Sequence, residues 1–460
     1  MSTREMGAPS PPIESYDDLV GWFETGCKPR DDWRIGTEHE KFVFHTDDLS
    51  PVPYEGPRGI RAILQSMIDQ FGWLPIMEGD NIIGLKRGPG EPGGNISLEP
   101  GGQFELSGAP VRTLHQTCTE ASVHLSEVKA VSRELGIGFL GLGFSPMWPL
   151  AAIPQMPKQR YGVMTRYMPK VGTRGLDMMY RTCTIQVNLD FASEADMVRK
   201  LRVSLALQPI ATALFASSPF ADGKPNGALS MRSEVWRDVD NQRAGMLPFV
   251  FEDGMGFSAY VDYALDVPMY FVFRDGNSID VTGQSFRTFL EGKLPQLPGE
   301  KPSLDDWSDH LTTIFPEVRM KRFLEMRGAD GGPWERICGL PAFWVGLLYD
   351  DEALQAASDL IAPWTQEQRQ QLRDDVPTQG FEARLGNRTV RDIARECLAL
   401  SRAGLDRRGF LSNTGQLESM HLDALDQMVE TGETSADEML RLYRGRWAGD
   451  ITNVFKDYAF

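Results

Sequence analysis

Residues 34–44, Arg-Ile-Gly-Thr-Glu-His-Glu-Lys-Phe-Val-Phe, alternate so that Glu38, Glu40, Phe42 and Phe44 share one face of a strand of period two. Two carboxylates therefore lead an apolar row. Taken alone, such a pair marks a strand end entering solvent. Three further segments repeat the constraint. In Asn95-Ile-Ser-Leu-Glu-Pro-Gly-Gly-Gln-Phe-Glu-Leu-Ser107, Pro100-Gly101-Gly102 supplies turn residues between two strand-like arms. A hairpin there brings Glu99 near Gln103, with Glu105 on the face of Gln103; a surface hairpin with scattered acids is the competing reading.

In Arg181-Thr-Cys-Thr-Ile-Gln-Val-Asn-Leu-Asp190, Cys183, Ile185, Val187 and Leu189 alternate with Thr182, Thr184, Gln186, Asn188 and Asp190. A solvated face more often recruits Lys and Glu, whereas Gln and Asn suit hydrogen bonding inside a cavity. In Arg322-Phe-Leu-Glu-Met-Arg-Gly-Ala-Asp330, Glu325 and Arg327 share a face opposite Leu324 and Met326. They read either as an ion pair or as a metal carboxylate beside a phosphate-binding guanidinium. Glu38, Glu40, Glu99, Glu105 and Glu325 are all oxygen donors, with no HExxH or paired-Cys pattern to accompany them. That set suits a hard cation, Mg2+, rather than zinc.

Between Arg34 and about Asp350 the chain reads as mixed α and β. A helix is expected after Ser193-Glu194-Ala195-Asp196, running to Ser217-Ser218-Pro219, with Pro209 placed to kink it. Beyond Asp350, amphipathic stretches succeed one another, ALQAASDLIA, TQEQRQQLRDDV, VRDIARECLALSRAGL, LDALDQMVETG and SADEMLRLYRGRW. The expected organisation is a flexible segment over residues 1–15, a catalytic α+β domain over 16–350, and a helical region over 351–460 packed on it.

Gly88-Pro-Gly90-Glu-Pro-Gly93 formally matches GxGxxG, but its prolines and the lack of a following helix contradict a dinucleotide site. Lys86 and Arg87 beside it are positioned to reach a phosphate. No GxxxxGK[ST] occurs, so any use of ATP relies on another architecture. The formal charge of −17 argues against nucleic acid or an anionic membrane as main partner, without excluding small phosphates held by local Arg and Lys. Five cysteines lie far apart, Cys27, Cys118, Cys183, Cys338 and Cys397, and are read as reduced. The six histidines are read as structural. The opening MSTREMGAPSPPIESYDD lacks the apolar stretch of a signal peptide and no run reaches membrane-spanning length, which predicts a cytoplasmic protein.

Read as a set, IGTEHEKF, SLEPGGQFELSGAP, MYRTCTIQVNLDF, LSMRSEVW, YALDVPMYFVFRDG, HLTTIFPEVR and LEMRGADGGPW resemble the plant and proteobacterial type of glutamate–cysteine ligase, over nearly the whole chain from about Gly21. The resemblance implies an α+β fold like those of glutamine synthetase and the guanidino kinases: a curved antiparallel sheet forming a bowl-like active site, with outer helices. It implies that ATP phosphorylates the γ-carboxylate of L-glutamate and that the L-cysteine amine attacks the acyl phosphate, giving γ-glutamylcysteine, the first step of glutathione biosynthesis.

By the same resemblance, Glu325 and Arg327 match the family's metal- and phosphate-binding strand, and Arg232 in LSMRSEVW matches the arginine that grips a substrate carboxylate. Substrate roles extend to Arg166, Arg181, Gln186, Asn188 and Trp236. A monomer or weak homodimer is expected. A ligase with a different amine acceptor is the nearest rival, since acceptor choice rests on a few contacts; a guanidino-kinase-type phosphotransferase and a catalytically silent binding protein are more distant ones. Plant members carry a cysteine pair where this chain reads Ile279-Asp-Val281-Thr-Gly and Leu294-Pro-Gln296-Leu-Pro-Gly-Glu. Both partners are missing, so oxidants and reductants are expected to change activity little.

Overall fold

Alternation along Arg34–Phe44 produces the central strand of a nine-stranded antiparallel sheet in the computed structural model, which describes residues 10–88 and 93–460. Its strands are β1 (Ile35–His45), β2 (Leu74–Glu78), β3 (Asn81–Lys86), β4 (Asn95–Leu98), β5 (Phe104–Ser107), β6 (Ile137–Leu140), β7 (Thr184–Leu189), β8 (Val318–Met320) and β9 (Leu324–Asp330). The order across the sheet is β8-β9-β7-β1-β5-β4-β3-β2, with β6 pairing the far end of β1. The sheet is open, and the architecture is α+β.

Five helices support the sheet and its polar face: α1 (Leu114–Leu135), α2 (Glu194–Leu214), α3 (Met231–Val235), α4 (Trp334–Leu348) and α5 (Val390–Arg408), the last packed on α4. The apolar side of β7, Ile185, Val187 and Leu189, is sealed into one core with Leu201, Leu205 and Ile210 of α2 and Phe343 and Trp344 of α4. Ser193 caps α2 by accepting from the Asp196 amide at 3.2 Å, as the acidic entry predicts, and the helix continues through Pro209. The opposite face of the sheet is left polar. Helices also form over Asp351–Ile361, Gln366–Gln379, Asp423–Thr431 and Ser435–Arg444, and their apolar residues join the cores of the preceding region.

Two expectations are corrected here. Chain order begins before Tyr16: Ile13 is buried and donates its amide to the Pro302 carbonyl at 2.9 Å, while Pro12 bridges Ser303. Hydrogen bonds dock the segment with this isoleucine, the Leu304 amide donating to the Pro11 carbonyl at 3.1 Å and the Asp305 amide to Ser10 Oγ at 2.8 Å; residues 1–9 lie outside the described residues. Nor are all cysteines reduced. Cys118 on α1 and Cys338 on α4 form a disulfide across 220 residues, with Cα atoms 5.7 Å apart, because the two helices pack side by side. Cys27, Cys183 and Cys397 are free. Most of the glycine-rich segment around Gly90 also lies outside the described residues.

Candidate active site

Register decides which carboxylates meet. On β1, Glu40 stands opposite Glu105 of β5, which stands opposite Ser97 of β4; Glu38 stands opposite Gln186 of β7 on one side and Ser107 on the other. The β4–β5 turn closes as its sequence predicts: the Glu99 amide donates to the Gln103 carbonyl at 3.0 Å, and Gly102 takes the left-handed φ of 84° that favours glycine. Glu38, Glu40, Glu99, Gln103 and Glu105 line one cavity, together with Thr182, Thr184 and Gln186 of the β7 segment. Arg160, Tyr161, Met164, Met178, Met179 and Trp236 complete it from the surrounding helices.

The acids are held by neutral groups. Glu38 accepts from Asn188 Nδ2 at 2.8 Å, Glu40 from the Thr184 amide at 2.9 Å, and Glu105 from Ser97 Oγ at 2.5 Å and Ser107 Oγ at 3.0 Å. Burial, and then the charges of Glu99 and Glu105, push the Glu40 carboxyl well above its ordinary value. Burial also raises Glu38, with Glu105 and Glu325 adding to the effect. Like charges directly opposite on neighbouring strands repel unless a cation lies between them. A set of oxygens with this much unneutralised charge fits a hard divalent cation.

The other side of the cavity is basic. Arg327 Nη1 donates to Gln186 Oε1 at 2.7 Å and to Glu325 Oε1 at 3.1 Å. A register shift between Met326 and Ala329 interrupts β9 at this point, and a side chain at Gly328 would run into Gln208 and Glu317. Arg319, directly opposite Glu325 on β8, grips it with Nε at 2.5 Å and Nη2 at 2.9 Å. Lys321 Nζ lies 3.6 Å away. Desolvation alone would raise Glu325, but Arg319, Lys321 and Arg327 together hold it well below the usual carboxylate range.

Arg232 reaches the same cavity from α3, where Nη2 donates to the Arg327 carbonyl at 2.7 Å. Its placement traces back to β9: Ser230 Oγ donates to Asp330 Oδ1 at 2.7 Å and caps α3 by accepting from the Ser233 amide at 3.2 Å. Arg232 Nε and Trp236 Nε1 are buried without a protein partner among the described residues. Two such orphan donors lining one cavity are sites where a ligand's acceptors would be welcome.

Several expected positions fall elsewhere. Glu325 does not line the cavity; both of its oxygens are occupied by guanidinium groups, so here it is a counter-ion rather than an available metal ligand. Asn188 also stands back, supporting Glu38. Arg181 is bound to Asp177 and Asp222 at 3.1 and 2.8 Å and lies over the Phe144 ring, and the exposed Arg166 pairs with Asp280 at 3.1 Å. Arg87 pairs with Glu127 at 2.8 Å over the Trp73 ring, and Lys86 ends β3 opposite Leu74 and Asn95; neither lines the cavity. For the three arginines the physical reason is shared: each guanidinium is engaged by an acid, Arg87 and Arg181 also by an aromatic ring.

Arg160, Gln103 and Arg319 were not singled out as site residues from the sequence. Arg160 lies six residues before Arg166, nearly two helical turns away, and the sequence offered no way to choose between them. Arg319 sits within the quoted HLTTIFPEVR segment, yet its role depends on pairing with a different strand.

Residues 34–457 match the family described as glutamate–cysteine ligase family 2 (GCS2). The chain is 57% identical over 462 residues to the chloroplastic glutamate–cysteine ligase B of Oryza sativa subsp. japonica, covering 98% of this chain and 90% of that one. It is 56% identical to the chloroplastic glutamate–cysteine ligase of Arabidopsis thaliana, covering 98% and 86%. The fold resembles that of the glutamate–cysteine ligase of Francisella tularensis solved in complex with AMP, with a TM-score of 0.51 at 13% identity, covering 93% of this chain and 89% of that one.

These relatives correct one expectation. The glutamate–cysteine ligases of Oryza sativa, Medicago truncatula and Arabidopsis thaliana that this chain resembles are chloroplastic, so the cytoplasmic assignment does not stand. No helix among the described residues is long and apolar enough to cross a membrane. An acid-lined and arginine-lined cavity, on an open antiparallel sheet, in a chain matching over residues 34–457, leads to one conclusion: the chain is a ligase that belongs to the glutamate–cysteine ligase family.

Proposed function

We propose that the chain joins the γ-carboxylate of L-glutamate to the amine of L-cysteine in an ATP- and magnesium-dependent reaction, through γ-glutamyl phosphate, as the first step of glutathione biosynthesis. The observation that carries this reading is the division of one cavity into under-neutralised carboxylates and an arginine-lined side where Arg232 Nε is unpartnered among the described residues. Two substrate carboxylates and a triphosphate need both halves. Glu38, Glu40, Glu99 and Glu105 would hold magnesium, which when bound neutralises phosphate charge and favours phosphoryl transfer.

The protein's own groups supply position. Arg232, buried and with Nε unpartnered, offers a donor edge to a carboxylate, while Trp236 Nε1 offers a second donor nearby. Arg327 and Arg319 place fixed positive charge beside the acids, where charge develops on the transferring phosphoryl group. Gln186, bound to Arg327 and opposite Glu38, fixes the spacing between the two halves. Ordering these groups in advance lowers the reorganisation cost of the reaction.

The test is purified protein with ATP, magnesium and glutamate, scored for phosphate release and product mass with and without cysteine. Cysteine-dependent γ-glutamylcysteine is expected. Equal product from alanine or putrescine, or turnover without a cysteine requirement, would overturn the cysteine assignment.

A further inference from the structure

Away from the carboxylate cavity, Cys118, Cys338 and His421 bring three ligand atoms within 4.8 Å of one another. Cys118 Sγ lies 3.6 Å from each ring nitrogen of His421, and His421 Nε2 lies 3.2 Å from Nδ1 of His115. His115 and Cys118 are three residues apart on α1 and so share its face. Cys338 comes from α4, and His421 from the short helical turn Glu418–Leu422, which Glu418 ties to the start of α1 by accepting from the Leu114 amide at 2.6 Å. His115, Cys118 and His421 also line a surface cleft, which gives an ion a way in.

We propose that this cluster is a second metal site, a Cys2His2 centre for a borderline-soft divalent cation of the zinc class, available when the Cys118–Cys338 disulfide is reduced. A tetrahedral centre with zinc–nitrogen bonds of about 2.0–2.1 Å and zinc–sulfur bonds of about 2.3 Å has ligand-to-ligand edges of roughly 3.3 Å between nitrogens and roughly 3.6 Å between nitrogen and sulfur. The His421–His115 and His421–Cys118 separations already match those edges. Side-chain rotation must bring His115 nearer the sulfurs, since it lies outside the close set formed by Cys118, Cys338 and His421, and must move the two sulfurs to about 3.8 Å apart on the same geometry, which Cα atoms 5.7 Å apart allow.

Thiolate and imidazole ligands select zinc-like ions over magnesium, so the site and the all-oxygen cavity take different metals. The chemistry balances. A dithiol reductant gives two electrons and two protons to the disulfide and itself becomes a disulfide, leaving Cys118 and Cys338 as thiols. Metal entry then displaces both thiol protons to solvent. Disulfide and metal are mutually exclusive occupants of one set of sulfurs, so metal loading protects the pair from reoxidation.

The experiment uses the full chain, reduced with a dithiol, desalted under nitrogen and titrated with Co2+ as an optical probe. Expected is near-ultraviolet thiolate-to-cobalt charge-transfer absorption that saturates at about one Co2+ per chain and is lost on adding Zn2+. Magnesium-site binding gives no such band, because it involves no sulfur. The unreduced chain and the Cys118→Ser/Cys338→Ser variant should lack the band, and His421→Ala should weaken binding by about tenfold or more. His421→Ala keeps both cysteines, and its ligase activity should be that of the parent, which confirms that it folds. A reduced parent without the band, an equal band in the double serine variant arising from Cys27, Cys183 or Cys397, or unchanged affinity in His421→Ala would each overturn the proposal.

Discussion

Glu40 and Glu325 are buried carboxylates on strands of the same sheet, separated by β7, and their surroundings drive them in opposite directions. Glu40 faces Glu105 and is held by one backbone amide; Glu325 faces Arg319 and is surrounded by three cations. The first half of the cavity is left with excess negative charge, and the second has already spent its acid on fixing its own guanidinium groups. The contrast teaches that an acid's role is set by the strand opposite it, and that only unmatched carboxylates are ready to receive a cation.

Breaking the matched side should have the largest effect. Arg319→Met removes the bidentate partner of a buried acid but leaves Arg327 and Lys321 beside it, and should cost about 1.5–3 kcal/mol, read by denaturant unfolding, as for the loss of hydrogen bonds to a charged group. Arg327→Ala leaves Arg319 on Glu325 and so tests catalysis more than stability: kcat should fall about 10²–10³-fold with the fold retained. An unchanged rate would remove Arg327 from the reaction. On the unmatched side, Glu40→Gln should raise the magnesium concentration for half-maximal activity by about 10–100-fold. The same change at Glu325 should move magnesium dependence less, and the reverse order would show that Arg319 releases Glu325 to the metal.

The two halves also differ in the sign of their pH dependence. Glu40's folded value lies above its ordinary 4.5, so as pH rises from 4.5 the native chain holds a proton that the unfolded chain has lost, and stability falls through that window. Glu325's folded value lies below 4.5, so its contribution is present above 4.5 and is lost as pH falls through the depressed value. Without magnesium, Glu40→Gln should therefore gain on the parent as pH rises above 4.5, by about a few degrees of Tm. Identical pH profiles would contradict the charge imbalance. Smallest of all, Lys86→Ala and Arg87→Ala should leave the KM for ATP within about twofold, as expected of side chains that do not line the cavity.

Much of the architecture was legible from local pattern. The β4–β5 hairpin followed from Pro100-Gly101-Gly102, β7 from its strict alternation, and α2 from the acidic entry at Ser193, because turn chemistry and periodicity act over a few residues. The carboxylates at Glu38, Glu40, Glu99 and Glu105 were legible as oxygen donors for the same reason. That Arg166 and Arg181 do not line the cavity was not legible, because an arginine extends far enough to choose among several partners, and the partner it takes is a tertiary fact.

Local pattern carried β1, the β4–β5 hairpin, β7, β9, the helical stretches, the chemistry of the acids and a resemblance dense enough to point to the family. Tertiary structure decided which acids face each other, which arginines are taken, and that Cys118 meets Cys338 across 220 residues beside two histidines. The division has a physical cause. Period and turn preference are written in neighbours along the chain, whereas charge balance and metal geometry depend on register and helix packing, which join residues the sequence leaves far apart.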